Sequence, residues 1–212
     1  MKMWLDIETS ALPTDELAKV MPEFAADSRL KDPEKIKASI EEKRADWISK
    51  AALRATTGRI LAVTTASDDQ SPRFHCSPDE RTMLDIALHE LTQAISLNAP
   101  VYTWNGHGFD YPFICQRAAV HGIGAFRQLM TCYRGRWQWH ECLVDAMTIF
   151  AGPYNRSDGC SLKAVAAALG VGEKSGSGAE FVELLKSDPV KAKEYAMMDV
   201  ELLRKIVLRM GL

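Results

Sequence analysis

Two acids stand one residue apart near the start of the chain, Asp6 and Glu8 in Met3-Trp4-Leu5-Asp6-Ile7-Glu8-Thr9. A third, Asp110, closes Trp104-Asn105-Gly106-His107-Gly108-Phe109-Asp110, and a fourth, Asp199, follows Tyr195 by four residues. Carboxylates brought side by side repel one another and lose hydration, which is costly unless a cation joins them. Oxygen-only donors suit Mg²⁺ or Mn²⁺ and not Zn²⁺. The chemistry open to such a set is metal-assisted hydrolysis of a phosphodiester.

Lys2 to Thr9 alternates loosely, with Met3, Leu5 and Ile7 on one face of a strand and Trp4, Asp6 and Glu8 on the other. Taken alone, an Asp-x-Glu pair fits a solvated edge strand equally well. Asp110 follows a turn-prone stretch after the apolar run Pro100 to Trp104, so it lies where a strand ends and a helix begins. A helix N-cap is the plain reading there, and it is compatible with catalysis. Pro189, after the capping pair Ser187-Asp188, opens a helical segment in which Tyr195 and Asp199 share a face. On their own these two are a half-buried aromatic and a surface acid.

Together the segments resemble a known family. Leu5-Asp6-Ile7-Glu8-Thr9, Trp104-Asn105-Gly106-His107-Gly108-Phe109-Asp110-Tyr111-Pro112 and Tyr195-x-x-x-Asp199 resemble, in order and position, the three exonuclease motifs of the DnaQ-like (DEDD) 3′→5′ exonucleases. The middle motif is most similar to the proofreading domain of B-family DNA polymerases and related free-standing phage enzymes. The tyrosine four residues before the last acid resembles the DEDDy branch. Val144-Asp145 and Cys160-Ser161-Leu162 through Leu169-Gly170 look like intervening family elements. The resemblance implies two divalent cations, Mg²⁺ or Mn²⁺, about 4 Å apart. Asp6, Glu8 and Asp199 would hold one, Asp6 would bridge to the second, and Asp110 would act partly through water. Tyr195 would orient the attacking water. Thr9, Asn105 and Phe109 match positions that touch the terminal nucleotides. His107 falls at a variable position and is expected to be a loop histidine in solvent, with substrate contact as the alternative.

The rest of the chain sets bounds. Its 212 residues suffice for one domain, expected to span the whole chain with a helical insertion at about 13–57. With 47% hydrophobic and 25% charged residues it reads as an ordinary soluble enzyme. A formal net charge of −2 gives no global basic footprint for a duplex, but an exonuclease needs only a short grip on one strand. No apolar run reaches the roughly 18–20 residues of a membrane span, and no signal peptide is recognisable, so a cytoplasmic location is expected. Five cysteines without a Cys-x-x-Cys pair read as reduced core thiols, and not as a metal site with His140.

Strands are expected near 2–9, 59–66, 73–76, 100–104 and 142–144, with a turn at 67–72. Helices are expected from Ser77, as serine cap before Pro78, to about Leu97, then at 111–121, 146–150, 162–169, 179–186 and 189–210. That order describes an α/β fold, and the resemblance makes it ribonuclease H-like, with a central mixed five-stranded sheet flanked by helices. In the insertion, Asp32-Pro33-Glu34 caps a charged helix running to about Lys50, either a solvated decoration or a lid. Trp47, Ile48 and Leu53 are the residues able to dock its end. Tyr133-Arg134-Gly135-Arg136-Trp137-Gln138-Trp139 interleaves aromatics with arginines, which suits stacked bases and phosphates. It suits equally an edge strand with its tryptophans in the core. The partner expected is a nucleic-acid 3′ end, that of single-stranded DNA. RNA ends and an inactive binding module on the same fold are the alternatives. Replication or recombination proteins are possible associates, any proofreading would act in trans, and the oligomeric state is open.

Overall fold

The first strand is buried along most of its length, and the sheet is built around it. In the computed structural model, which describes residues 1–68, 70–152, 160–173, 176 and 178–212, chain order begins with β1 (Met3–Ala11), α1 (Thr14–Val20) and α2 (Pro33–Ser49). There follow β2 (Gly58–Ser67), β3 (Arg73–Cys76), α3 (Glu80–Ser96), β4 (Val101–Thr103) and α4 (Asp110–Val120). Next come α5 (Phe126–Leu129), β5 (Met130–Tyr133), β6 (Arg136–Trp139), β7 (Leu143–Asp145), α6 (Ala146–Ala151) and α7 (Leu162–Leu169). α8 (Phe181–Ser187) and α9 (Pro189–Arg209) close the chain. Residue 69 of the expected turn at 67–72 lies outside the described residues.

The main sheet has five strands in the order β3-β2-β1-β4-β7. β1 pairs parallel with β4, β4 parallel with β7, and β2 antiparallel with β3, so the sheet is mixed. β1 is not an edge strand: Met3, Trp4, Leu5 and Ile7 are all buried. On one face Trp4 stacks on Tyr102 at 6.1 Å and joins Val200, Leu203 and Val207 of α9 in one cluster. α7 packs on the next stripe of α9, where Val165 and Ala166 meet Leu202 and Ile206.

Local signals fix several boundaries. Asp32 accepts from Glu34 N at 2.9 Å with Pro33 in the first turn, and Asp188 accepts from Lys191 N at 3.1 Å with Pro189 in the first turn. α3 starts later than the serine cap implies. Asp79 caps it by accepting from Arg81 N, while Ser77 only accepts from Asp79 N in the turn before. The shift carries Glu80 inward, where it accepts from Ile60 N at 2.9 Å, Arg117 Nε at 2.8 Å and His121 Nε2 at 2.8 Å. Burial works against its charge, but these donors outweigh it and hold the carboxyl below its usual range. Glu80 thereby ties β2 to the helix that carries Asp110.

By its contacts the chain divides into two units, Met1–Glu8 with Ile60–Leu212, and Thr9–Arg59. Within the second, α2 buries no residue, as its charged sequence suggests, and Trp47 meets Phe24 edge-on at 6.2 Å. Ile48 and Leu53 are exposed. The thiols are not all in the core: Cys115 and Cys142 are buried, but Cys76 and Cys132 are exposed. Among the described residues, no helix is long and apolar enough to cross a membrane.

Candidate active site

Alternation along β1 places Asp6 and Glu8 on the face that α9 covers, and one helical turn places Tyr195 beside Asp199. Oxygen atoms of Asp6, Glu8 and Asp199 all lie within 4.8 Å of one another. Asp6 is partly exposed, whereas Glu8 and Asp199 are buried. Three carboxylates this close, with two of them out of water, are a donor set that a hard cation would fit. Among the described residues no other group of His, Cys, Asp or Glu side chains converges in this way.

Asp110 is not one of the three, but it is their neighbour. It is the first residue of α4, with Phe109 and not Asp110 as the cap, and it is 3% exposed. Burial foremost, then the charges of Asp6 and Asp145, push its carboxyl well above the usual range, although backbone N–H groups of Ile7 and of Asp110 itself donate to it. The pH consequence follows in sign. A carboxyl whose folded pKa is raised contributes stability that is present below the unfolded value, about 3.9, and is lost as pH rises through the folded one. In EDTA at neutral pH, Asp110→Asn is therefore expected to raise Tm, by about 2–4 °C for each kcal/mol of repulsion removed. A melting curve in EDTA at pH 7 checks this, and a lower Tm would show that Asp110 is not strained by its neighbours.

Tyr195 is 7% exposed, and its phenol lies close enough to the Asp199 carboxylate for that charge to act on it. Burial first, then the charges of Asp199, Glu8 and Asp6, drive its phenol far above the ordinary value. At neutral pH this phenol stays protonated and is not a base. Its ring packs 6.3 Å from Phe181 of α8 and lines a cavity of about 350 Å³ with Leu184, Lys191 and Met198. The short 3₁₀ turn Gly178–Glu180 reaches the same place: a Cβ at Gly178 would lie 3.7 Å from Glu8 Oε2, and one at Gly176 3.6 Å from the Tyr195 ring. Sequence reasoning saw only a helix start here, since nothing local marks what a glycine will face.

The loop between β4 and α4 owes its composition to close packing. A Cβ on Gly106 would collide with Thr103 Oγ1, and one on Gly108 with Asn105 Oδ1. Asn105 itself adopts φ +65°, a conformation asparagine tolerates better than most residues. Phe109 lies 5.4 Å from Phe113 and is partly exposed. His107 is exposed as expected, but not loose: its Nε2 donates to Leu143 O at 2.8 Å, and its ring lies against Tyr111 and Trp139. Thr9 follows Glu8 on β1, and its hydroxyl donates to Ala52 O at 2.8 Å.

A residue that the sequence marked only as part of a strand-to-helix element organises this loop. Asp145 accepts from Asn105 N at 3.0 Å and His107 N at 3.1 Å, and also caps α6 by accepting from Met147 N and Thr148 N. It is 3% exposed. One carboxylate thus joins β7, α6 and the loop that leads to Asp110.

A mixed five-stranded sheet flanked by helices is a ribonuclease H-like α/β fold. The chain belongs to the family described as "Predicted 3′-5′ exonuclease related to the exonuclease domain of PolB", which matches residues 50–209. Asp110, Asp145, Tyr195 and Asp199 fall inside the matched span. Asp6 and Glu8 precede it, and geometry alone joins them to the site. The fold is similar to the structure of the family B DNA polymerase from the hyperthermophilic archaeon Pyrobaculum calidifontis, with a TM-score of 0.59 and 14% identity. That match covers 99% of this chain but only 24% of the polymerase, so the chain spans about a quarter of that protein's length. No curated protein matches the chain. Exonuclease domains of this kind generally use divalent metals, and the three-acid cluster is a donor set that fits one.

Proposed function

We propose that the protein removes nucleoside 5′-monophosphates one at a time from the 3′ end of single-stranded DNA, using two divalent cations, Mg²⁺ or Mn²⁺. The observation that carries this reading is the convergence of Asp6, Glu8 and Asp199 within 4.8 Å beside a phenol held protonated. Asp6, Glu8 and Asp199 would hold one cation. Asp6 and Asp110, whose charges act on each other, are the residues left for the second. Bound there, the cations would supply neutralisation of the phosphodiester charge and acidity for the attacking water.

The chain's own groups do the rest. Tyr195 donates its hydrogen bond from a fixed position and so orients the water without taking its proton. Asn105, His107 and Phe109 present a loop held by Asp145 to the terminal nucleotides, with His107 as the outermost of the three. Thr9 offers backbone groups directly after Glu8.

Incubation of a 5′-labelled single-stranded DNA with Mg²⁺ or Mn²⁺ tests the reading. A ladder that shortens from the 3′ end and vanishes in EDTA is expected. Shortening of an RNA strand alone would move the substrate to RNA. No shortening of either would favour an inactive nucleic-acid-binding module. Tyr195→Phe is expected to lower kcat by about 10²-fold, the effect of removing one positioned donor, while Mn²⁺ affinity measured by calorimetry is kept. Loss of metal binding in that variant would overturn the orienting role.

A further inference from the structure

The segment of interleaved arginines and aromatics enters neither the main sheet nor the core. β5 and β6 form a separate two-stranded sheet in which Cys132 opposes Trp137 and Met130 opposes Trp139. A lone hairpin is at best marginal in water, and this one leaves Tyr133 62% and Trp137 58% exposed. Trp137 and Trp139, two residues apart on one strand, share a face. With His107 and His140 they line a cavity of about 660 Å³, within the size range of small-ligand sites, about 300–1,000 Å³. Glu141 is the one carboxylate among its lining residues.

The turn carries a second signal. Arg134 and Gly135 both have positive φ, +50° and +76°. A two-residue hairpin turn of this kind prefers asparagine or glycine at its first position. An arginine kept in a conformation that disfavours it points to a use for its charge. Its guanidinium lies over the Tyr133 ring at 5.2 Å, and among the described residues no carboxylate pairs with Arg134 or Arg136.

We propose that this hairpin is a second grip on the strand: an unpaired nucleobase stacks on Trp137 and Trp139 in the cavity while Arg134 and Arg136 meet the adjoining phosphates. The proposal rests on the exonuclease reading above. Unpaired cations beside exposed rings match a polyanion with π faces better than they match an apolar protein surface. Continuity with the site also favours the strand. The His107 ring lies 6.3 Å from Trp139 and nearly parallel to it, while the His107 backbone N–H is held by Asp145 in the loop before Asp110.

The test measures the affinity of the full-length protein for a fluorescein-labelled 12-nucleotide DNA in EDTA, where hydrolysis is silent, across a salt series. Trp137→Ala is expected to raise Kd about tenfold or more. Arg134→Gly with Arg136→Ala is expected to flatten the log–log salt slope by about 1.4, two single-strand phosphate contacts. Glycine at 134 suits the observed φ, so that variant keeps the turn. An unchanged Kd and slope in both variants would overturn the proposal. Hydrolysis of the p-nitrophenyl ester of thymidine 5′-monophosphate by the wild type separates the two readings. If the ester is cleaved while strand affinity ignores the hairpin, the cleft alone fails. If neither ester nor strand is cleaved, the exonuclease reading fails first.

Discussion

Asp6→Ala is expected to abolish metal-dependent shortening of a labelled strand, with a loss of about 10³-fold or more. Asp6 belongs to the three-carboxylate cluster, and its charge also reaches Asp110 and Tyr195. A cation at such a site lowers the barrier by several kcal/mol, and each 1.36 kcal/mol is about tenfold in rate. Removing one carboxylate from the cluster and from its link to Asp110 weakens both proposed cation positions together. The same change relieves repulsion in the metal-free protein, so Tm in EDTA should hold or rise while activity disappears. Gel analysis of a 5′-labelled strand in Mn²⁺, with melting curves in EDTA, reads both effects. Activity above about one hundredth of wild type would show that Asp6 is not a metal ligand.

Asp145→Ala has the largest expected effect on stability. Its carboxylate accepts from four backbone N–H groups at 3.0 to 3.3 Å while almost fully buried. Loss of the α6 cap costs about 1 kcal/mol. Each loop N–H left without an acceptor costs about 1–3 kcal/mol. A total of about 3–7 kcal/mol, or about 6–28 °C in Tm, follows for a chain of this size. Asp145→Asn keeps one acceptor oxygen and should recover part of the loss. A cost below about 1 kcal/mol for the alanine variant would show that the loop stands without this anchor. Unlike Asp6→Ala, this variant should lose stability and activity together, because Asp145 holds the loop that leads to Asp110.

The insertion, the hairpin and the anchor were legible to different degrees. The charged face of α2 and its Asp32-Pro33 start are local signals, and the helix stands where they place it. The stretch 133–139 showed its composition but not its pairing, because two short strands joined by Arg-Gly carry no asparagine-glycine signature. Ser77 and Asp79 compete for one cap, and the choice rests on where Glu80 finds Arg117, a partner 37 residues away.

Periodicity and local chemistry are written along the chain itself. Alternation in residues 3–8 put Asp6 and Glu8 on one face, and the four-residue spacing put Tyr195 beside Asp199. Asp188-Pro189 set the start of the helix that carries them. The tertiary structure decided what those faces meet. Sheet order made β1 central and not an edge, so the acids lie half or wholly out of water and their repulsion becomes a binding property. It brought residues 6 and 8 to residue 199, set Gly178 before Glu8, and gave Asp145 the loop of Asn105 and His107. Dihedral preferences and side-chain periods act over a few residues and can be read along the chain. Desolvation, charge coupling and backbone anchoring depend on neighbours distant along the chain, and only the packed sheet supplies them.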